Sequence, residues 1–61
     1  MTRVMVVENE VYTRAAVAEK LRETGLTVVE AANDAEAETY LERGEPVDLV
    51  LRDVQLPNDG D

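Results

Sequence analysis

The sequence contains no cysteine and no histidine. A disulfide framework and a zinc site built from Cys and His are therefore excluded, as is any nucleophile activated by an imidazole. No apolar run approaches the ~20 residues that a membrane span requires, and the three residues before the first apolar run are too few for the charged and apolar regions of a signal peptide. These absences predict a cytoplasmic protein.

Positive charge is also scarce. Six Lys and Arg stand against fourteen Asp and Glu, which gives a formal net charge of −8. Such a surface repels phosphate backbones, so direct binding of nucleic acid is not expected. The glycine-rich loops that cradle nucleotides, Gly-x-Gly-x-x-Gly and Gly-x-x-x-x-Gly-Lys-[Ser/Thr], do not occur. With 61 residues, the chain is expected to form one domain, 1–61, with a thin core.

Hydrophobic patterning predicts an alternation of strands and helices. The runs at 3–7, 26–29 and 49–51 are short and largely apolar, as strands are, and the first lacks polar alternation and is β-branched, which is typical of a strand buried on both faces. Between them, Val11, Ala15, Ala18 and Leu21 recur at helical spacing, and Gly25 is suited to end that helix. The second helix has a capping signal at its start and a glycine and a proline after its end: Asn33, Glu36, Gly44 and Pro46.

The order strand, helix, strand, helix, strand predicts an α/β fold with a three-stranded parallel sheet. Right-handed crossovers on opposite faces place the first strand in the centre, in the order 2-1-3. The carboxyl ends of strands one and three then lie side by side, which is where ligands bind in open α/β sheets. Glu8 and Asn9 follow the first strand and Asp53 follows the third, so we expect these three side chains to share one crevice.

Clustered carboxylates predict a hard divalent cation, because Mg²⁺ prefers oxygen ligands and holds phosphate oxygens. A carboxylate beside Mg²⁺ can attack phosphorus to form an acyl phosphate, and Asp53 is the candidate nucleophile. A simpler interpretation is that Glu8 and Asp53 are solvated charges at strand ends. In a further alternative, Glu8 and Asn9 serve the N-terminus of the first helix.

Three segments resemble the receiver domain of two-component response regulators: "VMVVENE", "LRETGLTVVEAAN" and "PVDLVLRDVQLP". The resemblance covers essentially the whole chain. It implies that the chain is the N-terminal half of a flavodoxin-like (βα)5 receiver domain. In that family the strands and helices that would follow supply a switch Ser/Thr and a Lys, and no residue of 1–61 matches either role.

The resemblance further implies a function in a two-component phosphorelay. Asp53 would accept a phosphoryl group from a histidine kinase or a phosphotransfer protein, with Mg²⁺ as cofactor and no catalysis beyond phosphorylation and dephosphorylation of Asp53 itself. The implied metal ligands are Glu8, Asn9, Asp53 and the backbone carbonyl of Gln55, and Pro57 would shape the loop. The family usually has Asp where Asn9 stands, which predicts weakened Mg²⁺ binding.

Two other functions compete with phosphotransfer. A half-receiver could act as an interaction module that pairs with itself, or with a missing C-terminal half, through the open edge of its third strand, without phosphate chemistry. A Mg²⁺-dependent phosphatase that uses Asp53 as nucleophile ranks last, because such enzymes typically carry a second Asp two residues on and position 55 is Gln. Glu10 is a candidate to compensate for the neutral Asn9, although it lies where the first helix is predicted to begin.

Overall fold

The computed structural model describes residues 1–53. Within them, strands and helices alternate along the chain in the order β1 (Arg3–Val7), α1 (Val11–Glu23), β2 (Thr27–Ala31), α2 (Asp34–Glu42) and β3 (Leu49–Arg52). The strands form one parallel sheet in the order β2-β1-β3. The predicted fold class, an α/β fold with a three-stranded parallel sheet in the order 2-1-3, is confirmed.

The central strand β1 supplies most of the core. Residues 4–7 of β1 are all buried, because neighbouring strands flank β1 on both edges and a helix lies on each face. Successive residues of a strand point to opposite faces. The core accordingly divides into one cluster against α1 and another against α2. The first comprises Val6, Val17, Ala18 and Val28, and the second comprises Met5, Val7, Ala31 and Ala37.

The ends of both helices follow the predicted signals. Asn33 caps α2 by accepting a hydrogen bond from the N–H of Glu36 at 2.9 Å, and the Glu36 carboxylate accepts one from the N–H of Ala32 at 2.8 Å. Gly25 and Gly44 follow the two helices with φ values of 92° and 79°. Backbone in this region is nearly free of strain only for glycine, so these two residues allow the chain to turn back toward the sheet.

The predicted apolar stripe of α1 is partly wrong. The structure buries Val17 and Ala18, whereas Val11 is 52% exposed. Because α1 begins beyond the carboxyl end of β1, its first turn has little of the sheet beneath it. The position that faces the sheet near this end is held by Arg14, whose side chain is only 19% exposed. The packed face of α1 is therefore centred on Val17, Ala18 and Leu21.

Strand β3 lies at the edge of the described sheet. Its register on β1 is fixed at the start by Asp48, whose carboxylate accepts from the N–H of Arg3 and whose own N–H donates to the Arg3 carbonyl, both at 2.8 Å. Within residues 1–53, neither helix packs over β3. Leu49 and Val50 are consequently 53% and 40% exposed.

No helix within residues 1–53 is both long enough and apolar enough to cross a membrane.

Candidate functional site

A depression of about 240 Å³ lies at the carboxyl ends of β1 and β3. The register aligns Val7 with Arg52, so the residues that follow the two strands meet at the same edge of the sheet. The depression is lined by Val7, Glu8, Asn9, Ala32, Asn33, Asp34, Arg52 and Asp53. The structure thus brings together Glu8, Asn9 and Asp53, the three side chains that the sequence places at strand ends.

Glu8 is held by hydrogen bonds from three directions. Its N–H donates to the Ala31 carbonyl at 3.0 Å, which extends the pairing of β1 and β2 by one residue. Its carboxylate Oε2 accepts from the N–H of Glu10 at 2.9 Å, and its backbone carbonyl accepts from Arg14 Nη1 at 2.8 Å. Glu8 therefore serves the N-terminus of α1, as one of the alternatives predicted, and at the same time lines the depression.

Glu10 is the N-cap of α1 and does not line the depression. Its Oε1 accepts hydrogen bonds from the backbone N–H of Thr13 at 2.7 Å and from the Thr13 hydroxyl at 2.9 Å. These bonds, the backbone one foremost, lower the pKa of the Glu10 carboxyl because they stabilise its charged form. The carboxylate that could have compensated for the neutral Asn9 is thus engaged in capping the helix.

Asp53 follows β3 directly and has a φ of 55°, the one positive value among the non-glycine residues described. The left-handed region costs an L-residue roughly 1–2 kcal/mol, and Asp is among the few side chains that are enriched there. Backbone of this kind is concentrated at functional sites, where the surrounding structure imposes it. Here it ends the strand abruptly and leaves Asp53 exposed on the wall of the depression.

Arg52 and Asp34 form an ion pair that joins the end of β3 to the first residue of α2. Both side chains are more than half exposed and both line the depression, together with Asn33. Sequence reasoning missed these three residues as members of the site. A signal was present nonetheless, because parallel pairing of β2 with β1 brings the start of α2 to the same edge as Glu8.

The depression is lined by oxygen atoms of the kind that a hard cation takes as ligands. Three carboxylates, those of Glu8, Asp34 and Asp53, and one guanidinium, that of Arg52, leave a net charge of −2, and Asn9 adds an amide oxygen. Within residues 1–53, no three acidic, imidazole or thiol side chains are arranged closely enough to hold a metal by themselves. The predicted ligand Gln55 and the predicted loop residue Pro57 lie outside the described residues.

Comparison with known proteins finds no match: no protein-family model, curated protein or solved structure matches the chain.

Proposed function

We propose that this chain is a phosphoacceptor module of the receiver type, in which Asp53 takes a phosphoryl group from the phosphohistidine of a histidine kinase or phosphotransfer protein. One observation carries the proposal. Asp53 shares a depression with Glu8 and Asn9 at the carboxyl ends of two adjacent parallel strands. The left-handed backbone of Asp53 and the resemblance of residues 1–61 to receiver domains support the same function.

In the proposed reaction, a carboxylate oxygen of Asp53 attacks phosphorus in line with the departing imidazole. The new O–P bond forms as the N–P bond of the donor breaks, and the donor nitrogen keeps the electron pair and takes up a proton. The chain's own contribution is to present an exposed carboxylate at a fixed strand end. In this proposal the chain only gains and loses its own phosphoryl group at Asp53. It does not act on a separate substrate, so it is not an enzyme in the usual sense.

Mg²⁺, when bound, neutralises charge on the transferring phosphoryl group. Glu8, Asn9 and Asp53 would hold it, with the Gln55 carbonyl as the further ligand that the resemblance implies. Glu8 is suited to this role because its backbone is hydrogen-bonded on both sides and its carboxylate accepts from the N–H of Glu10. The two net negative charges of the depression attract a divalent cation before any phosphoryl donor arrives.

Labelling with a small phosphodonor tests the assignment of Asp53. The protein is incubated with acetyl phosphate and Mg²⁺, and its intact mass is measured. We expect one added phosphoryl group on the wild type and none on Asp53→Asn. Asp34→Asn is the matched control, since it removes another carboxylate from the same depression and should still be labelled. Equal labelling of wild type and Asp53→Asn would refute the assignment.

A second candidate function, an interaction module, is favoured by the exposed edge of β3. Within residues 1–53, no strand pairs with the outer edge of β3, where Leu49 and Val50 are exposed, and an open edge of this kind is a template for pairing. We propose that two copies join β3 to β3 about a two-fold axis, so that these strands run antiparallel at the seam. The charge of −8 on each copy opposes this association, so added salt should strengthen it.

Sedimentation velocity over a concentration and salt series tests this pairing. Leu49→Lys should abolish the dimer. Val11→Lys is the matched control, since Val11 is as exposed as Leu49 but lies on α1, away from the edge. A folded monomer at all concentrations and salt levels would exclude self-pairing through β3 and leave the phosphoacceptor proposal unaffected.

A further inference from the structure

The side chain of Arg14 connects three elements behind the candidate site. It extends from the second turn of α1, and its Nη1 donates to the backbone carbonyl of Glu8 at 2.8 Å. Its Nε lies 3.6 Å from Oε1 of Glu30 on β2. Arg14 is 19% exposed, so most of its side chain is packed between the helix and the sheet. A cation this well covered and this well bonded is fixed in position.

Arg22 lies eight residues after Arg14 on α1 and makes a similar set of contacts. Its Nη1 lies 3.2 Å from Oε2 of Glu30, and its Nη2 donates to the Val28 carbonyl at 3.1 Å. Each arginine thus pairs with one oxygen of the Glu30 carboxylate and donates to one backbone carbonyl. The difference lies in that carbonyl: Val28 is inside β2, whereas Glu8 carries a carboxylate of the depression.

We propose that Arg14 is a positioning residue that sets the orientation of Glu8 and Asn9 at the site. The carbonyl of Glu8 and the N–H of Asn9 belong to one planar peptide unit. A hydrogen bond that fixes the carbonyl therefore also fixes the orientation of the peptide plane that leads into Asn9. The Glu8 carboxylate is then held by the N–H of Glu10, two residues on. Arg14 therefore acts on the ligands from behind, without lining the depression.

Amide hydrogen exchange without any metal tests this role directly. The probe is the Glu10 N–H, which donates to the Glu8 carboxylate, and its exchange is compared with that of the buried Met5 N–H in the core. Arg14→Met should speed exchange at Glu10 relative to Met5 by roughly tenfold, the value of one charge-assisted hydrogen bond. Arg22→Met should leave the ratio unchanged, because it removes a similar pair of contacts elsewhere.

Arg14→Lys is the second variant, for the case in which Arg14→Met does not fold. Lysine keeps the charge and the apolar stem but cannot bind the Glu8 carbonyl and Glu30 at once as the guanidinium does. It should therefore retain the fold and still raise the exchange ratio. If neither Arg14 variant changes the ratio more than Arg22→Met does, Arg14 is only one more contact between α1 and β2, and the proposal is overturned.

A second experiment, Mg²⁺ titration followed by NMR, links this role of Arg14 to the proposed function. This second experiment rests on the proposed function, because it requires the Mg²⁺ site. Loss of a group that orients a metal ligand typically weakens metal affinity about 10- to 100-fold. We expect a loss in that range for Arg14→Met and less than about twofold for Arg22→Met, which removes no contact to a ligand. If the wild type binds no Mg²⁺, the metal site of the proposed function is wrong, while the exchange ratio still decides the role of Arg14. If Mg²⁺ binds wild type and Arg14→Met equally, the positioning role is wrong.

Discussion

Asn9→Asp adds a carboxylate to the depression at the position where a neutral amide now stands. Asn9 is exposed and the depression is open to solvent, so the new charge will be surrounded mostly by water. A high dielectric constant is therefore appropriate for estimating its effects. Two effects oppose each other: attraction to a bound cation, and repulsion from Glu8 and Asp53 when no cation is present.

Attraction to the cation is the larger effect. A carboxylate and a divalent cation about 4 Å apart attract by about 2 kcal/mol in a water-like medium, which corresponds to roughly a 30-fold gain in affinity. Desolvation of the carboxylate and of the hydrated cation reduces this gain. We therefore expect Asn9→Asp to tighten Mg²⁺ binding by about tenfold.

Repulsion without the cation is smaller and depends on salt. For an assumed separation on the order of 8 Å, one like charge costs about 0.5 kcal/mol in water, so the carboxylates of Glu8 and Asp53 together would cost about 1 kcal/mol at low ionic strength. The N-terminus of α1, just beyond Glu10, offsets about 0.3 kcal/mol of this. The free energy of unfolding should fall by about 0.7 kcal/mol at low salt, and the loss should nearly vanish at physiological ionic strength.

Thermal melts with and without Mg²⁺, at two salt concentrations, measure both effects, and calorimetric titration gives the affinity. The matched control is Asn33→Asp, which adds the same charge to the opposite wall and keeps the N-cap of α2. Asn33→Asp should raise Mg²⁺ affinity less than Asn9→Asp does. Equal gains would show that position 9 acts only as a charge near the cation, and no gain at Asn9→Asp would remove it from the ligand set.

Three predictions concern stability. Asn33→Ala should lower the free energy of unfolding by about 1 kcal/mol in urea titrations, because the Glu36 N–H loses its acceptor, while Asn33→Ser should restore most of it. Met5→Ala should cost about 2–5 kcal/mol, because Met5 is fully buried and a cavity remains, and a loss below about 1 kcal/mol would contradict the packing described. The lowered pKa of Glu10 stabilises the fold above the ordinary carboxyl pKa, and this contribution is lost as pH falls through the lowered value. Glu10→Gln should therefore flatten the acid side of the stability profile below pH 4.5, and an unchanged profile would count against the cap.

The fold could be predicted because the apolar runs and the helix-capping signals of the sequence indicate the same structure. The apolar run at 3–7 is too continuous for an edge strand, and Arg3–Val7 is indeed the central strand. The Asn33 and Glu36 signal fixes the start of α2 without reference to the rest of the fold. By contrast, the packed face of α1 depends on where the helix lies over the sheet, which its own periodicity cannot specify. Val11 has the right spacing and is exposed.

The site was predictable to the extent that topology determines it. Glu8, Asn9 and Asp53 meet because parallel strands end at the same edge of the sheet. The contribution of α2, through Asn33 and Asp34, depends on how near that helix begins to the edge. The roles of Arg14 and Glu10 depend on side-chain conformation, since a long charged residue on a helix can bond in several directions. Arg14 turns inward to a backbone carbonyl, although it is not one of the residues at apolar spacing (Val11, Ala15, Ala18 and Leu21) that predicted the packed face of α1.

The central claim is that Asp53 carries the phosphoryl group, and trapping of the acyl phosphate tests it most directly. Borohydride reduces an aspartyl phosphate to homoserine, which peptide mass spectrometry can locate to a single residue. After incubation with acetyl phosphate and Mg²⁺, we predict homoserine at position 53 and at no other Asp, with the yield falling when Mg²⁺ is chelated. Homoserine at Asp34 or Asp48 in place of Asp53, or none at any position from a folded and Mg²⁺-loaded protein, would contradict the account.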